Sequence, residues 1–199
     1  FNVISGFLRR SSGEIVYKGK DIGTLSPPQR ARDGVGRVFQ NFGIFKEMTL
    51  EENILVALEA LSKEEREKIG NIKEAVESTL EMAGLKEFAK KKAGSLSGGQ
   101  MRLLEIARTL QSGKELFLLD EPTAGVSPKM TQQVANMIKK LKDQKKTVLI
   151  IEHDLPFIAK ICDRVIVLDV GEVALAGKPE DVQKSEQLQK IYFGADPTT

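Results

Sequence analysis

At 199 residues, with 41% hydrophobic and 29% charged side chains, the chain is long enough for one domain, or a domain with a subdomain, and apolar enough to build a core. A net charge of +2 is too small to draw nucleic acid or an anionic membrane by electrostatics alone, so no nucleic-acid partner is expected. One cysteine, Cys162, excludes an internal disulfide, and no apolar run approaches the roughly 20 residues that span a bilayer, so work at a membrane would need another subunit to cross it.

The opening FNVISGFLRR places Phe1, Ile4, Phe7 and Leu8 at helical spacing, yet no Ser, Thr, Asp or Asn precedes them as a cap. The pattern predicts a helix whose start has been severed, with Phe1 in its second turn. Strand-like runs follow at GEIVYKG and GVGRVFQ. From about Thr49 to Leu110 every signal is helical. Ser62 with Glu65 and Asn71 with Glu74 read as helix starts. Val76, Thr79, Leu80 and Ala83 form a stripe that stops at Gly84, and Leu103, Ile106, Ala107 and Leu110 form another. KEEREK reads as a solvated helix face.

Three apolar runs come next, ELFLLDE, TVLIIEH and DRVIVLD, each predicted to be a strand buried on both faces. Between the first two, Ser127-Pro128 supplies a cap and a proline at the first helical position, and Val134, Met137, Ile138 and Leu141 follow at helical spacing. Cys162 closes the apolar stretch PFIAKIC and is expected to be a buried small hydrophobe. Strand alternating with helix predicts an α/β fold with a mainly parallel sheet, formed by residues 1–45 and 111–199. An α-helical subdomain, residues 46–110, is inserted into it.

Three short motifs carry chemistry. Leu116-Phe117-Leu118-Leu119 ends in Asp120-Glu121-Pro122, which puts two acids at the carboxyl end of a buried strand, where open α/β sheets bind ligands. The first acid suits Mg²⁺ and the second can polarise a water for attack on a phosphoryl group; alternatively the tripeptide merely ends a strand. The next strand ends in Glu152-His153-Asp154, with the chain's single histidine at the same sheet edge if the two strands are parallel. It could hydrogen-bond a γ-phosphate or the attacking water, or it could be structural. Leu96-Ser97-Gly98-Gly99-Gln100 directly precedes a helix. Two glycines there let backbone N–H groups approach an anion that the helix dipole also favours.

LSGGQ, then LFLLDEP, then LIIEHD, in this order and spacing, resembles the nucleotide-binding subunit of an ATP-binding cassette (ABC) transporter. The resemblance implies a P-loop NTPase core, with ATP and Mg²⁺ as cofactors. Asp120 and Gln40 would contact the metal. Glu121, His153 and Gln40 would be catalytic, and Gln40, in the Q-loop-like Val38-Phe39-Gln40, would also mark the hinge to the helical subdomain. Ser97, Gly98, Gly99 and Gln100 would form the signature that meets the ATP of a second ABC subunit, docked head to tail in a homo- or heterodimer. Transmembrane permease subunits and a peripheral place at the cytoplasmic face of the plasma membrane are implied as well. Ala124-Gly125-Val126-Ser127-Pro128 occupies the D-loop position, but Ser127-Pro128 replaces the usual Leu-Asp ending. Within the family, ISGFLRRSSGEIVYKGKDI, AGVSP and the ending IYFG resemble subunits that energise branched-chain amino-acid import.

The family's Walker A loop, G-x-x-x-x-G-K-[ST], has no match in the chain. Gly94 to Gly99 has the glycine spacing but continues Gln100-Met101, and Gly177-Lys178-Pro179 lacks the preceding glycine. In relatives a segment like FNVISGFL directly follows that loop, so the resemblance implies a chain truncated before Phe1, with the loop and first strands missing. Each lost charge-assisted contact is worth about 1.5–3 kcal/mol, so the chain alone is expected to be inactive. Two readings remain open: a fragment of an active ATPase, or a non-catalytic subunit that lends LSGGQ to a competent partner and docks a membrane protein. A soluble ABC protein of DNA repair or translation is disfavoured by the lack of coiled-coil heptads and of a second cassette.

Overall fold

The structure is a computed structural model that describes residues 1–38 and 43–193. The chain divides into two compact units, Phe1–Ile151 and Glu152–Thr199.

The first unit opens with α1 (Asn2–Ser5), which has no side-chain cap, as the sequence implies. The helix is shorter than its apolar spacing predicts. Gly6 adopts φ +86° and turns the chain out of the helix, which leaves Phe7 and Leu8 exposed. Phe1 and Ile4 pack against the cluster of Ile22, Val35 and Leu118. The predicted strand GEIVYKG is instead a short hairpin, β1 (Val16–Tyr17) against β2 (Lys20–Asp21), because Lys18 and Gly19 both take positive φ and reverse the chain. Helix α2 (Pro27–Arg32) follows a Ser26 cap. From it the buried Arg30 donates to the carbonyls of Val3 and Ile4, closing the end of α1, and to those of Gly23 and Leu25.

Strand β3 (Val35–Val38) leads toward a helical stretch made of α3 (Leu50–Glu59), α4 (Lys63–Ile69), α5 (Ile72–Met82) and α6 (Gly98–Leu110). Local chemistry starts each of these helices. Thr49, Ser62 and Ser97 form capping boxes, and Asn71 accepts from the amides of Lys73 and Glu74. Helix α4 buries no residue, as KEEREK predicts. Helix α5 ends before Gly84, which takes φ +66°.

After α6 come β4 (Leu116–Asp120), α7 (Pro128–Asp143) and β5 (Thr147–Ile151). The three strands form a parallel sheet in the order β3-β4-β5, with Val38 opposite Leu119 and Asp120 opposite Ile151. Phe117, Leu118 and Leu119 of β4 are fully buried, as are Val134, Met137, Ile138 and Leu141 of α7. Strand β5 departs from expectation. Among the described strands it pairs only with β4, so it is an edge, and its Leu149 and Ile151 are exposed rather than covered.

The second unit contains α8 (Leu155–Ile161), β6 (Val165–Asp169), β7 (Glu172–Gly177), α9 (Pro179–Gln183) and α10 (Glu186–Phe193). Within this unit β6 pairs antiparallel with β7, and its Ile166 and Leu168 are exposed rather than covered. A two-residue turn, Val170-Gly171, joins the pair, and so short a link permits only antiparallel pairing. Cys162 is half-buried at the end of α8, where the backbone has already become extended.

Candidate functional site

Parallel pairing brings the carboxyl ends of β4 and β5 together, and the acid pair stands there. Asp120 is the last residue of β4. Its Oδ2 lies 3.4 Å from Arg37 of β3, with both side chains largely buried. The same guanidinium donates to Asn2 Oδ1 at 2.7 Å and Ser5 Oγ at 2.8 Å, and it lies over the Phe7 ring. Arg37 therefore ties α1 to the Asp120 carboxylate. Among the described residues no three His, Cys, Asp or Glu side chains converge as a metal cage. The donor set still fits Mg²⁺, which is commonly held by one or two carboxylates together with phosphate oxygens and water.

Glu121 leaves the strand in a left-handed conformation, φ +45°. A Cβ in that region costs about 1–2 kcal/mol, so neighbours must hold the residue there. Its N–H donates to Ile151 O at 2.9 Å, and its carbonyl accepts from Ala124 N at 3.1 Å. One guanidinium nitrogen of Arg102, on α6, donates to both Asp120 O and Glu121 O at 3.1 Å.

Ser97 caps α6. Its hydroxyl accepts from Gln100 N at 3.3 Å, while Gln100 Oε1 accepts from Ser97 N at 3.0 Å. The Gln100 side chain thus closes its own helix start. Gly98 faces open space, so an anion can approach its backbone at the positive end of the helix dipole. At Gly99 a Cβ would lie 2.6 Å from Met130 Sδ and 3.8 Å from Val126, so the signature turn packs on the Ala124–Pro128 loop. Ser127 and Pro128 there are the cap and first residue of α7, with Ser127 Oγ accepting from Met130 N.

Two further candidates are Gln40 and His153. Gln40 lies outside the described residues. His153 follows β5 by two residues and belongs to the second unit, where its exposed ring has Nδ1 3.9 Å from Glu152 Oε2. A separate cavity of about 620 Å³, lined by Phe7, Val35, Phe45, Val56, Arg37 and Arg108 among others, does not include the acid pair. In it Arg108 stacks over Phe45, and burial pushes its guanidinium below its ordinary value, countered in part by Glu105.

Sequence reasoning missed Arg37, Arg102 and Glu105. Arg102 and Glu105 stand three residues apart beside the apolar stripe of α6, a spacing that reads as an ordinary helix-surface ion pair; both are buried.

A model of the ABC transporter family matches residues 1–124, which include LSGGQ and the acid pair. The chain belongs to the ABC transporter family. This ABC chain is 37% identical to BraF of Pseudomonas aeruginosa, a high-affinity branched-chain amino acid transport ATP-binding protein, over 98% of its own length and 81% of the relative's. It is 34% identical to LivG of Archaeoglobus fulgidus, a probable protein of the same kind, over 98% and 79%. LptB of Haemophilus influenzae, an ATP-binding protein of a lipopolysaccharide export system, is 32% identical over the same shares. The solved ADP conformation of MJ1267, an ATP-binding cassette of an ABC transporter, superposes with TM-score 0.80 at 32% identity, covering 97% of this chain and 81% of that one. The dimeric post-hydrolysis cassette MJ0796, bound to ADP and Pi, matches with TM-score 0.73 at 30% identity, over 89% and 78%.

Proposed function

We propose that this chain serves as the ATP-binding subunit of an importer, coupling ATP hydrolysis to uptake of branched-chain amino acids. The observation that carries the reading is similarity over 98% of the chain to relatives named for that transport. Residues 46–110 act as the helical subdomain, and residues 1–45 with 111–199 as the ATPase core. Asp120, with Gln40, holds Mg²⁺, which when bound supplies charge neutralisation at the phosphoryl oxygens. Glu121 is the general base, His153 orients water and γ-phosphate, and Gln40 joins the site to the helical subdomain. Ser97, Gly98, Gly99 and Gln100 meet the nucleotide of a second ABC subunit docked head to tail. Permease subunits cross the membrane, and this subunit sits on its cytoplasmic face.

The named relatives also include a lipopolysaccharide exporter, so the test must separate two solutes. Disrupting the gene is expected to abolish uptake of radiolabelled leucine while surface lipopolysaccharide stays unchanged; the opposite result would reassign the solute.

The 199 residues contain no Walker A match, so by themselves they are expected to bind ATP more weakly than about 1 μM, because the amides and lysine of that loop supply most phosphate contacts. Titration with a fluorescent ATP analogue measures this, and micromolar binding would overturn it.

A further inference from the structure

We propose that Arg102 is a positioning residue. Working as a buried pair with Glu105, it clamps the Asp120–Glu121 peptide and holds Glu121 in the left-handed conformation from which its carboxylate is presented. The proposal rests on the reading of Glu121 as general base. In an extended strand successive carbonyls point to opposite sides. Asp120 O and Glu121 O nevertheless converge on one nitrogen of Arg102, each at 3.1 Å. That convergence requires the chain to leave strand geometry at Glu121, which its φ of +45° accomplishes. The guanidinium therefore favours this conformation over the extended one, in which it would lose one of the two bonds.

The fork geometry matters. While Nη2 of Arg102 takes the two carbonyls, its Nη1 donates to Glu105 Oε2 at 3.1 Å, and the two side chains are 5% and 2% exposed. Glu105 neutralises the buried cation, and its other oxygen accepts from Gly43 N at 3.1 Å. One pair on the signature helix thus holds the carboxyl end of β4 on one side and the backbone of Gly43 on the other. A lysine carries a single nitrogen and cannot occupy both places in this fixed fork.

The test is amide hydrogen exchange, resolved by NMR on the ¹⁵N-labelled chain, which needs no nucleotide. Failure of the clamp is thereby distinct from failure of the ATPase reading. The reporters are Glu121 N–H, bonded to Ile151 O, and Ala124 N–H, bonded to Glu121 O. Leu104 in α6 and Leu119 in β4 are the controls. In Arg102→Lys, protection at Glu121 and Ala124 is expected to fall about tenfold or more while the controls hold within about twofold. Because removing one member of a buried ion pair can unfold a protein, the double variant Arg102→Met/Glu105→Met, which removes both charges of the pair and takes from Arg108 only the countercharge of Glu105, is measured as well, with the same selective loss expected. Adding Glu121→Gly, which takes positive φ without a Cβ penalty, is expected to shrink that loss to about threefold or less. Loss shared equally by reporters and controls, or loss undiminished by Glu121→Gly, would mean that the pair only stabilises the core, and would overturn the proposal.

Discussion

Asp21 shows how a single side chain organises a loop in this protein. Its carboxylate accepts two bonds from Arg10, at 3.0 and 2.7 Å, and one each from the amides of Gly23 and Ile15. The Arg10 guanidinium, followed by the Gly23 N–H, lowers its pKa from the usual 3.8 to about 2. The folded value lies below the unfolded one, so the contribution to stability is fully present above pH 3.8 and is lost as pH falls toward 2. Following the Asp21 carboxyl by ¹³C NMR should give a midpoint near 2, and Arg10→Ala should return it toward 3.8. A midpoint unchanged by that substitution would assign the shift to the backbone amides instead. At this scale the sequence is only partly readable. The positions of Asp120 and Glu121 at the end of a strand and of Ser97 and Gly98 at the start of a helix were legible because each has a local cause. The partners Arg37 and Arg102 were not, because they reach Asp120 from 83 and 18 residues away along the chain. Nothing in the letters Asp-Glu-Pro announces a positive φ at the glutamate.

Elements were legible where one local cause dominates. The helix starts at Ser62, Asn71, Ser97 and Ser127 follow from short-range capping, and β4 follows from an apolar run that is in fact buried. Strand β7 was missed because Glu172-Val-Ala-Leu-Ala-Gly177 is poor in β-branched and aromatic residues, and its pairing with β6 is what makes it a strand. The turn between them is itself poorly suited to its residues. Val170 and Gly171 take φ +46° and +85°, the two positive values of a type I′ turn, which favours Asn-Gly. A β-branched side chain pays most for that conformation, and Val170 is 98% exposed, so it gains no packing in return. Val170→Asn should therefore raise stability by about 0.5–1 kcal/mol, visible as a higher urea midpoint with an unchanged slope. A lower midpoint would show that the turn draws on some property of valine that its exposure does not reveal.

At the scale of the whole molecule, the sheet is where sequence and structure part most. TVLII has the composition of a strand buried on both faces, yet β5 leaves Leu149 37% and Ile151 43% exposed on one face. Among the described strands it is hydrogen-bonded on one side only. The same holds for β6, whose Ile166 and Leu168 are more than half exposed. Composition reports what a strand is suited to meet, whereas burial reports what the chain brings to it, and the two differ at both strands. An edge that joins unpaired backbone groups to exposed aliphatic side chains, with no proline or charge along Thr147–Ile151, is a template for strand addition. The isolated chain should consequently self-associate as its concentration approaches about 100 μM, seen as a rising mass in light scattering. Leu149→Lys, which puts a charge on the exposed face of that edge, should suppress the association while shifting the urea midpoint little, because the side chain it replaces is already over a third exposed. Association that persists unchanged in Leu149→Lys would place the adhesive surface elsewhere. A wild-type chain that stays monomeric throughout would show that the exposed aliphatic residues of β5 are too few to recruit another strand.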